Sequence, residues 1–162
     1  MERLIVASIS VLLVLQCLAT PATAAAPRRA TRTALTTLLA NASTDLLMPS
    51  ESDFPFTPFT WTNGARATCT SRWLLKRTGH APDTPVEVVD LEYFFRNVAQ
   101  PQPWHDPTQA ENVRKFQHLV TVLKDNLTDI HVYRVGTIRI DVYIVGRAGN
   151  DLAGLSTVVI ET

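Results

Sequence analysis

Residues 106–162 read DPTQAENVRKFQHLVTVLKDNLTDIHVYRVGTIRIDVYIVGRAGNDLAGLSTVVIET, and this segment indicates the fold class most clearly. Asp106 followed by Pro107 is typical of a helix start, because the carboxylate accepts bonds from free backbone N–H groups and proline suits the first turn. Apolar residues then recur every three or four positions, which predicts a helix over 107–127 with one buried face. These apolar residues are Val113, Phe116, Val120, Leu123 and Leu127.

Three segments rich in β-branched residues follow this helix. They span residues 130–135, 138–145 and 155–162, and they are separated by Gly136 and by the segment Gly146–Gly154. β-branched side chains pack well on a pleated sheet, and glycines between such runs mark turns. These segments therefore predict three strands of a mostly antiparallel sheet.

Shorter elements are predicted before residue 106. They are a helix over 33–47, a strand over 54–61, a turn at Asn63-Gly64, a helix over 69–78 ended by Gly79, a strand over Val86–Val89 and a short helix capped by Asp90. Pro55 and Pro58 place the first of these strands near a sheet edge, because proline cannot donate to a central ladder. Helices around a mostly antiparallel sheet make an α/β/α or α+β domain the simplest packing.

The N-terminal segment has the pattern of a secretory signal peptide. Residues 4–18 are an apolar run of 15 residues, and Ala22 and Ala24 follow in an Ala-x-Ala arrangement that predicts cleavage after Ala24. The run is shorter than the roughly 20 residues of a membrane-spanning helix, although an uncleaved anchor is the alternative. Residues 25–44 are rich in Ala, Thr and Arg and contain no acid. A signal peptide followed by an organelle transit sequence is therefore a second alternative.

These patterns divide the chain into a signal peptide at 1–24, a flexible N-terminal segment at 25–32 and one domain at 33–162. We expect the mature protein to be secreted or to lie in the secretory or organelle lumen, with no membrane attachment after signal cleavage. Asn41 and Asn126 begin Asn-x-Ser/Thr motifs, so they are candidates for glycosylation in a host that modifies them.

The composition is that of one folded domain with little cysteine. The chain has 162 residues, of which 46% are hydrophobic, and it carries 15 basic and 15 acidic side chains. This balance argues against a basic nucleic-acid-binding protein. Cleavage would remove Cys17 and leave Cys69 as the sole thiol, so we expect no internal disulfide. A buried free thiol is the favoured interpretation of Cys69.

Motifs for catalysis are weak. None of the four histidines forms an HxxxH pair and no serine lies in a GxSxG setting, so zinc and serine-hydrolase chemistry have no support. The segment Gly146–Gly149 is typical of a hairpin turn rather than of a phosphate-binding loop. We therefore expect a protein that is not an enzyme, since an orphan hydrolase would need a histidine and an acid that folding brings together.

Three features are candidates for a binding surface. Glu51 lies in Pro49-Ser50-Glu51-Ser52, a predicted tight loop between helix and strand, for which an ordinary turn is the alternative. Trp104 lies in a Pro-rich loop, where a large aromatic residue either packs into the core or anchors a partner. The last predicted strand reaches Glu161-Thr162, which we expect to place a hydroxyl and a carboxylate at one point.

Several segments of the chain carry a family resemblance when they are taken together and in order. They are LLMPSESDFPF at 46–56, TGHAPDTPVEVVDL at 78–91, YFF at 93–95, FQHL at 116–119, VYRVG at 132–136, IDVYIVG at 140–146, LAGLST at 152–157 and VIET at 159–162. From about residue 34 onward the chain resembles the nuclease A inhibitor family. The resemblance implies a three-layer α/β/α sandwich related to plant pathogenesis-related protein 1. It also implies tight inhibition of a sugar-nonspecific ββα-metal nuclease that cuts DNA and RNA.

The resemblance also implies roles for single residues. Glu51 corresponds to the family's acid that enters the nuclease active site and stands in for the scissile phosphate. Thr162 corresponds to the residue whose hydroxyl coordinates the Mg²⁺ of the partner nuclease, so the chain would need no cofactor of its own. Trp104 matches the Trp of the family's Asp-Trp contact, whereas Pro103 replaces the Asp and removes a charge. The implied complex is one-to-one, with a free monomer that does not bind nucleic acid directly.

The predicted signal peptide is an addition to the family pattern. Export implies a target that is met in the secretory path, in an organelle or outside the cell. The alternative is a secreted, non-enzymatic binding module that kept the fold but lost nuclease inhibition.

Overall fold

The computed structural model describes residues 32–62 and 69–162 of the chain. The signal peptide predicted at 1–24, most of the predicted flexible segment and the turn predicted at Asn63-Gly64 lie outside the described residues. Among the helices of the described part, none is long and apolar enough to cross a membrane.

The described residues form helices and antiparallel strands. The helices are α1 (Arg32–Ala42), α2 (Ser71–Thr78), α3 (Leu91–Phe95) and α4 (Pro107–Asn126), and the strands are β1 (Leu47–Met48), β2 (Phe54–Pro55), β3 (Thr57–Trp61), β4 (Val86–Val89), β5 (Thr128–Val135), β6 (Arg139–Ala148) and β7 (Asp151–Ile160). Five strands form one sheet in the order β3-β7-β6-β5-β4, while β1 and β2 form a separate hairpin. The strand predicted at 54–61 is thus two strands, and β3 lies at a sheet edge as Pro58 predicts.

Helices cover the two faces of the large sheet unequally. Successive strand residues point to opposite faces. Val142 and Ile144 of β6 pack into a core with α1, α3 and α4, whereas Tyr143 and Val145 pack into a smaller core with α2. Helices packed on an antiparallel sheet confirm the predicted α+β class. The three-layer sandwich and its pathogenesis-related-protein-1-like description stay predictions.

The long helix α4 forms as its sequence predicts. Asp106 and Gln109 make a capping box, in which each side chain accepts from the backbone N–H of the other. The buried face consists of Val113, Phe116, Leu119, Val122 and Leu123. Val120 is only partly buried, so the predicted stripe is rotated slightly toward Leu119 and Val122.

The helix predicted at 33–47 is shorter than expected and ends at Ala42. The Ser43 hydroxyl donates to the backbone oxygens of Leu39 and Ala40 at 2.8 and 3.2 Å, which occupies carbonyls in the last turn. Asp45 then adopts φ +60°, a left-handed conformation that turns the chain away from the helix axis. The residues after this turn enter the β1–β2 hairpin.

Two further local predictions hold only in part. The last strand ends at Ile160 rather than at Thr162, because its neighbour β6 begins at Arg139, opposite Ile160. Glu161 and Thr162 therefore follow the strand, although the Glu161 backbone N–H still donates to the Ile138 oxygen at 2.9 Å. Asp90 occupies the N-cap position of α3, but its side chain makes no capping hydrogen bond.

Candidate functional site

The Glu51 loop is the turn of the β1–β2 hairpin. Met48 pairs with Phe54, so residues 49–53 form the connection between the two strands. Pro49 favours an extended conformation for Met48 and thus helps to end β1 at the start of the loop. The Thr157 hydroxyl of β7 donates to the Phe54 backbone oxygen at 3.3 Å and so ties the hairpin to the large sheet.

The loop is also bonded to the end of β7. The Ser50 hydroxyl accepts a hydrogen bond from the Ile160 backbone N–H at 3.2 Å and donates one to the Ser52 backbone oxygen. The Glu51 backbone N–H lies 3.5 Å from the Ile160 oxygen. These contacts hold the loop beside the residues that follow the strand.

Glu51 and Thr162 are brought together by this docking. The Thr162 hydroxyl donates a hydrogen bond to Oε1 of Glu51, although the two residues are 111 positions apart. Both side chains are exposed. The structure therefore places a carboxylate and a hydroxyl side by side at one point of the surface, where a partner can reach both.

In the part of the chain that the structure describes, the Glu51 carboxylate forms no ion pair, because the arginines of β5 and β6 pair with other acids. Glu161 pairs with Arg134 at 2.7 Å, and Arg134 also lies 3.4 Å from a Glu87 oxygen. Arg139 lies 5.6 Å from the centre of the Phe54 ring and forms an ion pair with Asp141. Within residues 32–62 and 69–162 no ion pair includes Glu51. Its negative charge is thus presented to solvent.

Trp104 lies in the connection between α3 and α4, away from the hairpin in sequence. Its side chain is 75% exposed, which excludes the interpretation that it packs into the core. Its ring meets the ring of His105 edge-on, with centroids 6.4 Å apart. The His105 backbone N–H donates to the Gln102 oxygen at 3.1 Å and closes a turn around Pro103. The structure thus leaves Trp104 available as a contact residue, on a different segment from the Glu51–Thr162 pair.

A groove of about 420 Å³ lies beside the Glu51 loop and was missed in the sequence. The residues that line it include Pro49, Tyr93, Arg96 and Glu161. The Arg96 guanidinium stacks 3.7 Å from the centre of the half-exposed Tyr93 ring. The signal that could have found it is the spacing of Tyr93 and Arg96, which places both on one side of a helical turn.

The described residues contain no cluster of three or more His, Cys, Asp or Glu side chains that could hold a metal ion. The Glu51 carboxylate and the Thr162 hydroxyl are two adjacent oxygen donors. Such a pair is too small to form a metal site, but it could complete the coordination of a hard cation that another protein holds.

A second polar cluster was also missed, because folding assembles it from distant segments. Cys69, Asp129, His131, Tyr133 and Arg147 line a pocket of about 160 Å³. His131 contacts Asp129 at 3.0 Å, and the Tyr133 hydroxyl donates to the Cys69 backbone oxygen at 2.6 Å. Burial raises the pKa of the Cys69 thiol. A nucleophilic cysteine needs the opposite shift, so the cluster does not favour hydrolase chemistry.

The partly buried Cys69 thiol should react slowly with a small alkylating reagent at neutral pH. A raised pKa lowers the thiolate fraction, so the midpoint of the rate-against-pH curve should lie above that of a free cysteine, about 8.5. The measurement is the alkylation rate between pH 6 and 10 for the folded chain and for the same chain in urea. A lower midpoint in the folded chain than in urea would contradict the assigned environment.

The two candidate glycosylation residues differ in their surroundings. Asn41 is exposed in the last turn of α1. Asn126 is the last residue of α4, and its side-chain amide donates to the Val122 backbone oxygen at 2.8 Å. Modification of either residue stays a prediction.

Two comparisons with known proteins bear on this site. A search of curated proteins finds no match to the chain. Residues 33–162 match the model of the family described as NuiA, nuclease A inhibitor-like protein. The matched span includes the hairpin with Glu51, the loop with Trp104 and the contact between Glu51 and Thr162. Because the match covers far more than half of the 162 residues, the chain belongs to the nuclease A inhibitor-like family.

Proposed function

We propose that this protein inhibits a sugar-nonspecific DNA and RNA nuclease of the ββα-metal type by occupying its active site in a one-to-one complex. One observation carries the proposal. The exposed Glu51 carboxylate, which has no cationic partner in the described residues, contacts the exposed Thr162 hydroxyl at the tip of a docked loop.

The chemistry of these two groups matches what such an active site binds. A nuclease holds cationic groups and a metal around the position of the scissile phosphate, so a carboxylate from a rigid loop gains charge-assisted contacts there. Mg²⁺ binds oxygen ligands and keeps several waters, so the Thr162 hydroxyl can replace one water. Glu51 and Thr162 together would exclude the substrate without any bond being made or broken.

Trp104 supplies the second contact in this proposal. A large exposed aromatic side chain is a common anchor in protein interfaces. Pro103 stands where the family carries Asp, so this contact would rest on apolar area rather than on charge. The chain uses no cofactor of its own, and the Mg²⁺ belongs to the partner.

Because a signal peptide is predicted, we expect the inhibitor to meet its target nuclease in the secretory path, in an organelle or outside the cell. Cleavage after Ala24 would free the mature chain from the membrane. The free protein is expected to be a monomer that does not bind nucleic acid.

The proposal is tested by titrating the mature chain, residues 25–162, into a Mg²⁺-dependent assay of a ββα-metal nuclease. The rates of DNA and RNA cleavage should fall together, and inhibition should be complete near one equivalent of inhibitor. Thr162→Val, which removes the hydroxyl but keeps the shape, should weaken inhibition, whereas Thr162→Ser should retain most of it. Full nuclease activity in the presence of excess wild-type chain would refute the proposal.

A non-inhibitory binding module is the second candidate. The groove beside Tyr93 and the exposed Trp104 favour it, because they offer apolar surface to a partner that need not be a nuclease. Co-purification with a protein that has no nuclease activity, combined with loss of that binding in Trp104→Ala, would support this candidate against the first.

A further inference from the structure

The Ser50 hydroxyl connects the loop that carries Glu51 to the strand that leads to Thr162. It accepts from the Ile160 N–H at 3.2 Å and donates to the Ser52 oxygen. The Ser50 hydroxyl therefore accepts one hydrogen bond and donates another at the same time. Ser50 is partly buried, whereas Ser52 is exposed and enters this arrangement only through its backbone.

These bonds act on both members of the Glu51–Thr162 pair. The hydrogen bond from Ser50 to Ser52 joins the residues on either side of Glu51, so it restrains the backbone at Glu51. The bond from Ile160 fixes the strand end two residues before Thr162. The Ile160 N–H lies near the end of the strand, and without Ser50 it would lose its partner.

We infer that Ser50 is a positioning residue that sets the distance between the Glu51 carboxylate and the Thr162 hydroxyl before any partner binds. The inference rests on the proposed function for its consequence in inhibition. Ser50 need not touch the nuclease. It restricts the loop and the strand end to fewer conformations in the free protein, so less conformational entropy is lost on binding.

The expected loss of inhibition follows from the conformational freedom that the loop and the strand end regain when the Ser50 hydroxyl is removed. Ser50→Ala deletes both bonds with little change of volume. Inhibition should weaken about 10-fold to 30-fold, as expected when one backbone residue must be ordered on binding. Ser52→Ala is the matched control, because it makes the same substitution in the same loop but keeps the backbone oxygen that Ser50 bonds. It should leave inhibition within about 2-fold.

A second readout does not involve the nuclease. In NMR spectra of the mature chain, Glu51→Gln should shift the Thr162 amide and methyl resonances, because the two side chains are in contact. In the Ser50→Ala background the same substitution should leave the Thr162 resonances nearly unchanged. Ser50→Thr, which restores a hydroxyl, should recover both the shift and the inhibition. Melting temperatures confirm that all variants are folded.

The two readouts separate the inference from the proposed function. An undiminished Thr162 shift in Ser50→Ala would overturn the positioning role, whatever the inhibition assay gives. A lost shift together with a wild-type chain that does not inhibit would support the positioning role and refute the nuclease target. Equal losses of inhibition in Ser50→Ala and Ser52→Ala would also overturn the inference, because they would indicate a direct contact of the whole loop.

Discussion

Glu51→Gln should weaken nuclease inhibition by roughly 30-fold or more. The reason is that the substitution removes the negative charge from a site that must face buried cationic groups of the partner. Removal of one member of a buried charge pair typically costs about 2–5 kcal/mol, much of it from the charge that is left unpaired. Gln retains an oxygen that can accept from Thr162, so the loop should keep its conformation. The inhibition constant for DNA cleavage measures the effect.

Asp53→Asn is the matched control for this prediction. It removes the same charge from the same hairpin loop, at an exposed residue that has no assigned role in binding. Its effect should be small, should fall as salt increases, and should appear mainly in the association rate. If Glu51→Gln and Asp53→Asn weaken inhibition equally, the loop acts through its overall charge and Glu51 does not occupy a phosphate position.

Phe116→Ala should lower the free energy of unfolding by about 3–5 kcal/mol, the range for truncating a fully buried Phe. Phe116 is 0% exposed, and its ring packs 5.9 Å from Phe95 and 6.3 Å from Phe56. The substitution would leave a cavity where α4 packs against α3 and against the residue that links β2 to β3. Urea denaturation followed by circular dichroism measures the change.

Trp104→Ala provides the comparison, because it deletes a large aromatic side chain that is 75% exposed. It should change the free energy of unfolding by less than about 0.5 kcal/mol. A loss at Trp104 as large as that at Phe116 would mean that the loop before α4 packs more tightly than its exposure indicates.

Elements with a strong local signal were predicted well. The capping residue Asp106 and the spacing of Val113, Phe116 and Leu123 gave α4 almost to the residue, because a cap and a single buried face are local properties. Gly79 correctly marked the end of α2, since it adopts φ +78°, which other residues rarely take. Helix α1 was too long in the prediction because its apolar spacing continues to Leu46, past the turn at Asp45.

The candidate site was predictable only in part. Glu51, Trp104 and Thr162 were named as candidates from the sequence pattern, and the family resemblance supplied their specific roles. Those roles in binding stay predictions. The role of Ser50 could not be found from the chain alone, because its partner Ile160 is 110 positions away. The cluster around Cys69 and His131 escaped for the same reason.

The order of residues along the chain therefore accounts for which elements form and which chemical groups they carry, because capping, periodicity and turn propensity act over a few neighbouring residues. The distance between Glu51 and Thr162 has another origin. It depends on β7 pairing with β6, on the hairpin docking against β7 and on the Ser50 hydroxyl that bridges them. Only the packed fold brings these groups together, since contacts between residues 111 positions apart leave no local pattern in the chain.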